Sequence, residues 1–326
     1  LTVARGSVAD WAGRFPHNPF SQPVLIDGTG DAAQLARGLL EGQMRAIIEG
    51  HQVERQARFT LESPAEAVHG VTPPRPASWD ELTDDERRSS PPLILVASEA
   101  TLSEAGAAEI LSILSSGLPL TVLLLADPGR GFPHAVQDLG LNALIHRRGF
   151  VVETTIARPE HLMLGVRDAL RHHGPAVIRV HAPSPRREGF RKDATVDEAG
   201  LALESRVIPL FRYDPTGDGV FGSRLDLSGN PGDDMGWVIA EDGTPITAAH
   251  WALTQERFAP WLRPLTDDDP APVALAEFLA LPADGKTGKT AYIEKPTPDG
   301  APLRLRVAPE LVDFARTRLE IWQTLQ

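Results

Sequence analysis

Two segments of this sequence carry residue types at spacings that could bind phosphate. Gly28-x-Gly30-x-x-Ala33 follows the apolar run Val24-Leu25-Ile26 and opens a helical pattern. Glycines there would let the backbone approach an anion, and a helix start favours negative charge, which is the physics of a dinucleotide site. The context favours a plainer turn. No second apolar strand follows promptly, and the acids about twenty positions on, Glu49 and Glu54, sit inside the helical pattern. Gly28, Gly30 and Asp31 are therefore expected to form a helix-capping turn with Asp31 as N-cap, with dinucleotide binding by Gly28 to Ala33 as the alternative. The second segment, Asp284-Gly285-Lys286-Thr287-Gly288-Lys289-Thr290, lacks the leading glycine of a phosphate loop, because Ala280 and Ala283 stand at the two possible positions. It reads as a turn into Tyr292-Ile293. The ten histidines show no ligand spacing, and no nucleophile elbow occurs.

The elements that would position such residues follow from periodicity. A helix is expected from about Ala32 to Glu54, with Leu35, Leu39, Met44, Ile47 and Ile48 on its apolar face. Residues 63–92 are proline-rich and acidic and read as a long connection holding one short helix. Residues 93–97, 120–125, 150–156 and 176–180 are apolar runs without alternation, the mark of strands buried on both faces. Helical patterns at 103–115 and 161–172 separate them, the second with Leu162, Val166 and Leu170 facing the core. This alternation predicts a parallel sheet covered by helices. Past residue 182 come turns, short strands, an aromatic helix over 248–261 and a closing helix. The closing helix aligns Val312, Ala315, Leu319, Trp322 and Leu325. The expected parts are residues 1–92, 93–182 and 183–326. The runs DELTDDERR and TDDD read as solvated surface, and so does the basic loop of Arg186-Arg187-Glu188 with Arg191-Lys192, with docking of an acidic partner as its alternative.

Composition narrows the chemistry further. The formal charge of −12 argues against a nucleic-acid backbone binder, and no run reaches the length of a membrane span. A cytoplasmic protein is expected. With no cysteine, the chain offers no disulfide, thiolate zinc site, cysteine-held iron–sulfur cluster or thiol nucleophile. Leu1 is not an initiator, and the closing helix reaches Gln326 without a glycine or proline stop. A segment of a longer polypeptide is expected.

Several stretches together carry a resemblance. VLIDGTGDAAQLARGLLEGQM, SWDELTDDERRSSPPLILVA, LSSGLPLTVLLLAD, LESRVIPLFRYDP and LVDFARTRLEIWQTLQ occur in this order from about Pro23 to the end. They resemble the C-terminal thiamine-diphosphate-binding region of pyruvate:ferredoxin and other 2-oxoacid:ferredoxin oxidoreductases. The resemblance implies an α/β thiamine-diphosphate-binding fold, with a mostly parallel sheet flanked by helices and an irregular C-terminal extension.

It also implies where the cofactor site would be, and there the motifs depart from the family. In the family a strand ends in G-D-G, whose aspartate holds the magnesium of the cofactor diphosphate, and a loop with Y-S-N-T-G-G completes the cradle. Here Ser98-Glu99-Ala100 stands at the first motif, which puts Glu99 at the metal aspartate. Glutamate adds a methylene to a site that demands tight geometry, and losing both glycines restricts backbone approach. Asp127 matches the acid that ends the second strand, but ADPGRGFPHAVQDLG replaces the asparagine loop, and Asn142 lies too far along. The family's cluster cysteine after the AVIRV strand is absent from His181-Ala182-Pro183-Ser184-Pro185. The expectation is a catalytically degenerate module with no catalytic residue and no cofactor of its own. It would serve as a structural or docking unit of a larger oxidoreductase. The alternative is an active enzyme holding thiamine diphosphate and magnesium through Glu99 and Asp127. Expected partners are other domains or subunits, a ferredoxin-type carrier and, since the family domain packs in a dimer, a second copy.

Overall fold

Apolar runs without polar alternation need cover on both sides, and here they become the inner strands of a layered fold. The computed structural model describes residues 1–13, 24–64, 69–70, 75–102, 104–133, 138–232, 234–297 and 300–326. Parts of the expected lead-in and of the 63–92 connection lie outside them. The first half of the chain runs β1 (Thr2–Val3), α1 (Ser7–Gly13), β2 (Leu25–Ile26), α2 (Ala32–Glu62), α3 (Asp84–Arg88), β3 (Leu93–Ser98), α4 (Glu104–Ser116) and β4 (Leu120–Leu125). Next come α5 (Leu139–His146), β5 (Phe150–Thr155), α6 (Pro159–Arg171), β6 (Ala176–His181), α7 (Pro185–Glu188), α8 (Thr195–Glu204), β7 (Phe211–Tyr213) and β8 (Leu225–Asp226). The remainder is β9 (Val238–Ile239), β10 (Pro245–Ile246), α9 (Ala248–Leu253), β11 (Leu262–Pro264), β12 (Ala271–Ala274), α10 (Leu275–Ala280), β13 (Lys289–Lys295), β14 (Leu303–Val307) and α11 (Pro309–Leu325).

Strands β1 to β8 form one sheet in the order β2-β1-β3-β4-β6-β5-β7-β8. β1 is parallel to both neighbours, with Thr2 opposite Leu25 and Leu95. β7 is antiparallel to β5 and to β8. Every residue of β5 and β6 is buried. The fold is α/β, with a large, mostly parallel sheet flanked by helices, consistent with a thiamine-diphosphate-binding-type fold.

The chain divides into two compact units. The first comprises Leu1–Leu124, Asn142–Phe150 and Asp168–Val177. In it α2 packs on β3 and α4. Its buried stripe is Ala32, Ala33, Ala36 and Leu40, which corrects the expected face: Leu35 is 37% exposed and Leu39, Met44, Ile47 and Ile48 are half-buried. Alanines allow the helix backbone to approach the strand, and the larger side chains fall to the rim of that contact. The helix also runs past Glu54, because its polar end is anchored. Arg55 grips Glu86 of α3 through Nε (2.7 Å) and Nη2 (2.5 Å). Glu86 closes a capping box with Thr83, and its carboxyl is lowered to about 2, chiefly by the Arg55 hydrogen bond. DELTDDERR is thus a capped, ion-paired helix as well as a solvated surface.

The second unit comprises Leu125–Leu141, Val151–Arg167 and Ile178–Gln326. Its core gathers Trp251 and Ala252 of α9, Phe258, Leu275 of α10, Ile293 of β13, Leu305 and Val307 of β14, and Leu311 and Phe314 of α11. A separate four-stranded sheet has the order β11-β14-β13-β12. The Asp284 segment is a single turn leading into β13, as expected. On α11 the residues Ala315, Trp322 and Leu325 are buried as expected, and Leu311, Phe314 and Arg318 complete the face. α5 is absent from the periodicity reading; its start is marked by Asp138, whose Oδ1 accepts the Leu141 amide at 3.0 Å. In α6 the inward residues are His161, Gly165 and Ala169, with Leu162 and Val166 half-buried. A Cβ at Gly165 would lie 2.6 Å from Val152 Cγ1, so the helix sits directly on β5.

Candidate functional site

The glycine-rich loop after β2 is ordered by an acid that the capping expectation passes over. Asp27, 4% exposed, accepts hydrogen bonds from Thr29 N, Thr29 Oγ1 and Gly30 N, each at 2.8 Å. Burial raises its carboxyl, but these bonds and the nearby Arg5 charge outweigh it and hold it below the usual range. Asp31 occupies the N-cap position of α2 but makes no side-chain capping bond, so Asp27 is the structuring aspartate. Gly30 has φ +103°, and a Cβ there would meet the Arg5 guanidinium at 3.1 Å. Two amides that a phosphate would need are turned inward to Asp27. Gly28 faces open space.

Glu99 follows the last residue of β3. Ser98 O accepts the amides of Thr101 and Leu102 at 3.1 and 3.0 Å, which folds 98–102 into a tight turn and leaves Glu99 2% exposed.

Asp127 lies two residues beyond β4 in the second unit, at the centre of a charged cluster. Its Oδ1 accepts Arg257 Nη1 at 2.7 Å, and Oδ2 lies 3.7 Å from Arg187 Nε. Burial raises the Asp127 carboxyl; the charge and hydrogen bond of Arg257, with help from Arg187, bring it below the usual range. The Arg257 guanidinium covers the loop itself, since a Cβ on Gly129 would meet it at 2.8 Å. That guanidinium also donates through Nε to Gln255 Oε1 at 2.7 Å, and Gln255 Nε2 donates to Glu198 Oε1 at 2.6 Å. Arg187 Nη2 donates to Glu188 Oε1 at 2.6 Å. Glu188 is fully buried, which corrects the solvated-surface reading for that residue, while Arg186 and Arg187 are exposed as expected. Two long side chains reach Asp127 because α7 and the turn after α9 place them there. No local pattern marks either arginine.

His181 ends β6 with no exposed surface and with neither ring nitrogen hydrogen-bonded among the described residues. Burial, then the charges of Arg179 and Arg257, lower it to about 3, against an opposing pull from Asp127. His161 of α6 bonds Thr154 Oγ1 through Nδ1 at 3.0 Å and is lowered to about 4 by burial and Arg212. A second buried cluster joins Asp138, Arg179, Glu153 and Arg318. Arg318 Nη1 reaches Asp138 Oδ2 at 3.0 Å, and Arg179 pairs with Glu153. With two acids and two bases, this cluster balances its own charge and ties α11 to the start of α5.

A carboxylate that gives one oxygen to Arg257 and lies near the charge of Arg187 is a weak base and a poor ligand for a cation, because its proton affinity is lowered. As arranged, the Asp127 carboxylate therefore does not fit the role of a magnesium ligand. Among the described residues no group of three or more His, Asp or Glu side chains could hold a metal ion. No helix of the described residues is long and apolar enough to cross a membrane.

No known protein-family profile matches this chain. Over 104 residues it is 27% identical to pyruvate synthase subunit PorB of Methanocaldococcus jannaschii, a match covering 31% of this chain and 35% of that relative. The matched stretch thus spans about a third of the relative's length. The similarity supports a relation of this part of the chain to 2-oxoacid:ferredoxin oxidoreductases.

Proposed function

We propose that this chain is a thiamine-diphosphate-fold module of a larger, 2-oxoacid:ferredoxin oxidoreductase-like assembly, retained as a structural or docking unit after loss of its cofactor site. The observation that carries this reading is the commitment of Asp127 to Arg257 and Arg187. A cation brought to Asp127 would face two positive charges, one of them the Arg257 guanidinium that also lies on Gly129. The absence of cysteine agrees, since an iron–sulfur acceptor in this chain would lack its usual thiolates. The similar protein is named as a subunit, and the partners proposed here are other subunits or domains, a ferredoxin-type carrier held by the assembly, and a second copy of the chain. The chain's own contribution is a rigid framework: strands buried on both faces, and two buried ion clusters that fix the loops at their ends.

Isothermal titration of the chain with thiamine diphosphate and Mg²⁺ tests the reading. The expected result is no saturable heat up to about 1 mM ligand, the weak end of measurable affinity. Magnesium-dependent binding that Glu99→Gln or Asp127→Asn abolishes would overturn it in favour of an active thiamine enzyme.

A further inference from the structure

A groove of about 750 Å³ opens in the second unit just past the end of β5, the usual position for ligands in open α/β sheets. Its lining includes Ala157, Ala194 and Gly200, whose small side chains leave the space, with Phe190 and Leu201 as apolar surfaces. A Cβ on Gly200 would touch only Ala157 Cβ, at 4.0 Å, so the room above this helix is real. Glu198 of α8 also lines the groove while being only 4% exposed.

The polar groups are placed for a positive charge. Glu198 Oε1 accepts both Thr254 Oγ1 (2.8 Å) and Gln255 Nε2 (2.6 Å), so its orientation is fixed. Oε2 accepts no bond among the described residues and is not sealed off from solvent. Asp197 and Glu204, on the same helix, add two further carboxylates to the lining. Of the two arginines present, Arg191 is gripped by Asp193 through Nε (3.1 Å) and Nη2 (2.5 Å). Arg158 donates to Ala157 O at 3.2 Å. The carboxylates outnumber the cations, and the most buried of them has an oxygen to spare. Burial, with the neighbouring Glu188 adding to it, pushes the Glu198 carboxyl up despite the bonds from Gln255 and Thr254 and the charge of Arg257. Its anion is therefore only partly compensated, with no direct ion pair, and an incoming cation could supply the remainder.

We propose that this groove binds a small organic cation, a protonated primary amine on an apolar chain, with the ammonium on Glu198 and the chain against Phe190 and Leu201. The site is independent of any thiamine chemistry, and its failure would leave the proposed function untouched. The bond sequence Glu198–Gln255–Arg257–Asp127 connects its occupancy to the charged cluster at β4.

The test is calorimetric titration with 1-aminopentane against 1-pentanol, which has the same chain without the charge. The amine should bind saturably and about tenfold or more tighter than the alcohol. Glu198→Gln, which keeps an oxygen for Thr254 and Gln255, should weaken the amine by about tenfold or more and leave the alcohol unchanged. Gly200→Leu should fill the groove and abolish amine binding, with circular dichroism and the thermal midpoint confirming a folded protein. Equal binding of amine and alcohol, no saturable binding of either, or an amine affinity indifferent to either substitution would overturn the proposal.

Discussion

Arg257 uses each side of its guanidinium differently. Nη1 meets Asp127, Nε meets Gln255, and the plane lies 4.9 Å from the Phe258 ring centroid. Such a planar, multiply bonded group is not replaced by lysine without loss. Asp127 is visible in the sequence as an acid just beyond an apolar run, whereas its partner lies 130 residues away and has no motif around it. Gln255, Glu188 and Glu198 are hidden for the same reason, as residues given meaning only by tertiary contact. The buried histidines lead to a prediction at this scale. Unfolded histidines take up protons from about pH 6.5 downward, while folded His161 and His181 resist until about 4 and about 3. Between these limits the unfolded state binds more protons, so stability falls as pH falls, by about 1.4 kcal/mol per unit for each histidine. Urea midpoints at pH 7, 6 and 5 should decline well above the carboxylate range, and His161→Asn should make the decline shallower. A flat profile down to pH 5 would contradict the burial of both rings.

Among the elements, the strands are the most legible in the sequence, because a two-sided apolar run has few other folds open to it. The helices are legible too, but their faces are not. Counting large apolar residues puts Leu35 and Leu170 inward, yet they are 37% and 39% exposed, since close helix–strand contact selects alanine and glycine. α5 escapes the pattern because eight residues give too little periodicity, although Asp138 at its start is a recognisable cap. α6 shows the consequence for substitution. Gly165→Ala would gain about 1 kcal/mol of helix propensity. The new methyl would overlap Val152, a side chain with no exposed surface, at a cost of about 1–3 kcal/mol. Urea unfolding should show net destabilisation, and a raised midpoint would mean that β5 and α6 can separate without penalty.

For the molecule as a whole, the α/β class and its parallel sheet follow from the order of apolar runs, whereas the thiamine-diphosphate-type fold is what the family resemblance implies; the similarity to a pyruvate synthase subunit points the same way over about a third of the chain. What stays hidden in the sequence is the use made of the strand ends. Ser98, Glu99 and Ala100 differ from the motif that the resemblance implies, but nothing around them signals that Asp127 has guanidinium partners. That pairing has a consequence across lineages. Removing Arg257 leaves the buried Asp127 carboxylate only the longer contact to Arg187, and removing Asp127 leaves Arg257 without its carboxylate, so neither Asp127 nor Arg257 is expected to drift singly. Related chains should therefore either keep both residues or exchange both together. An alignment of them should show positions 127 and 257 as a covarying pair, whereas the exposed Arg88–Asp85 pair on α3 varies independently.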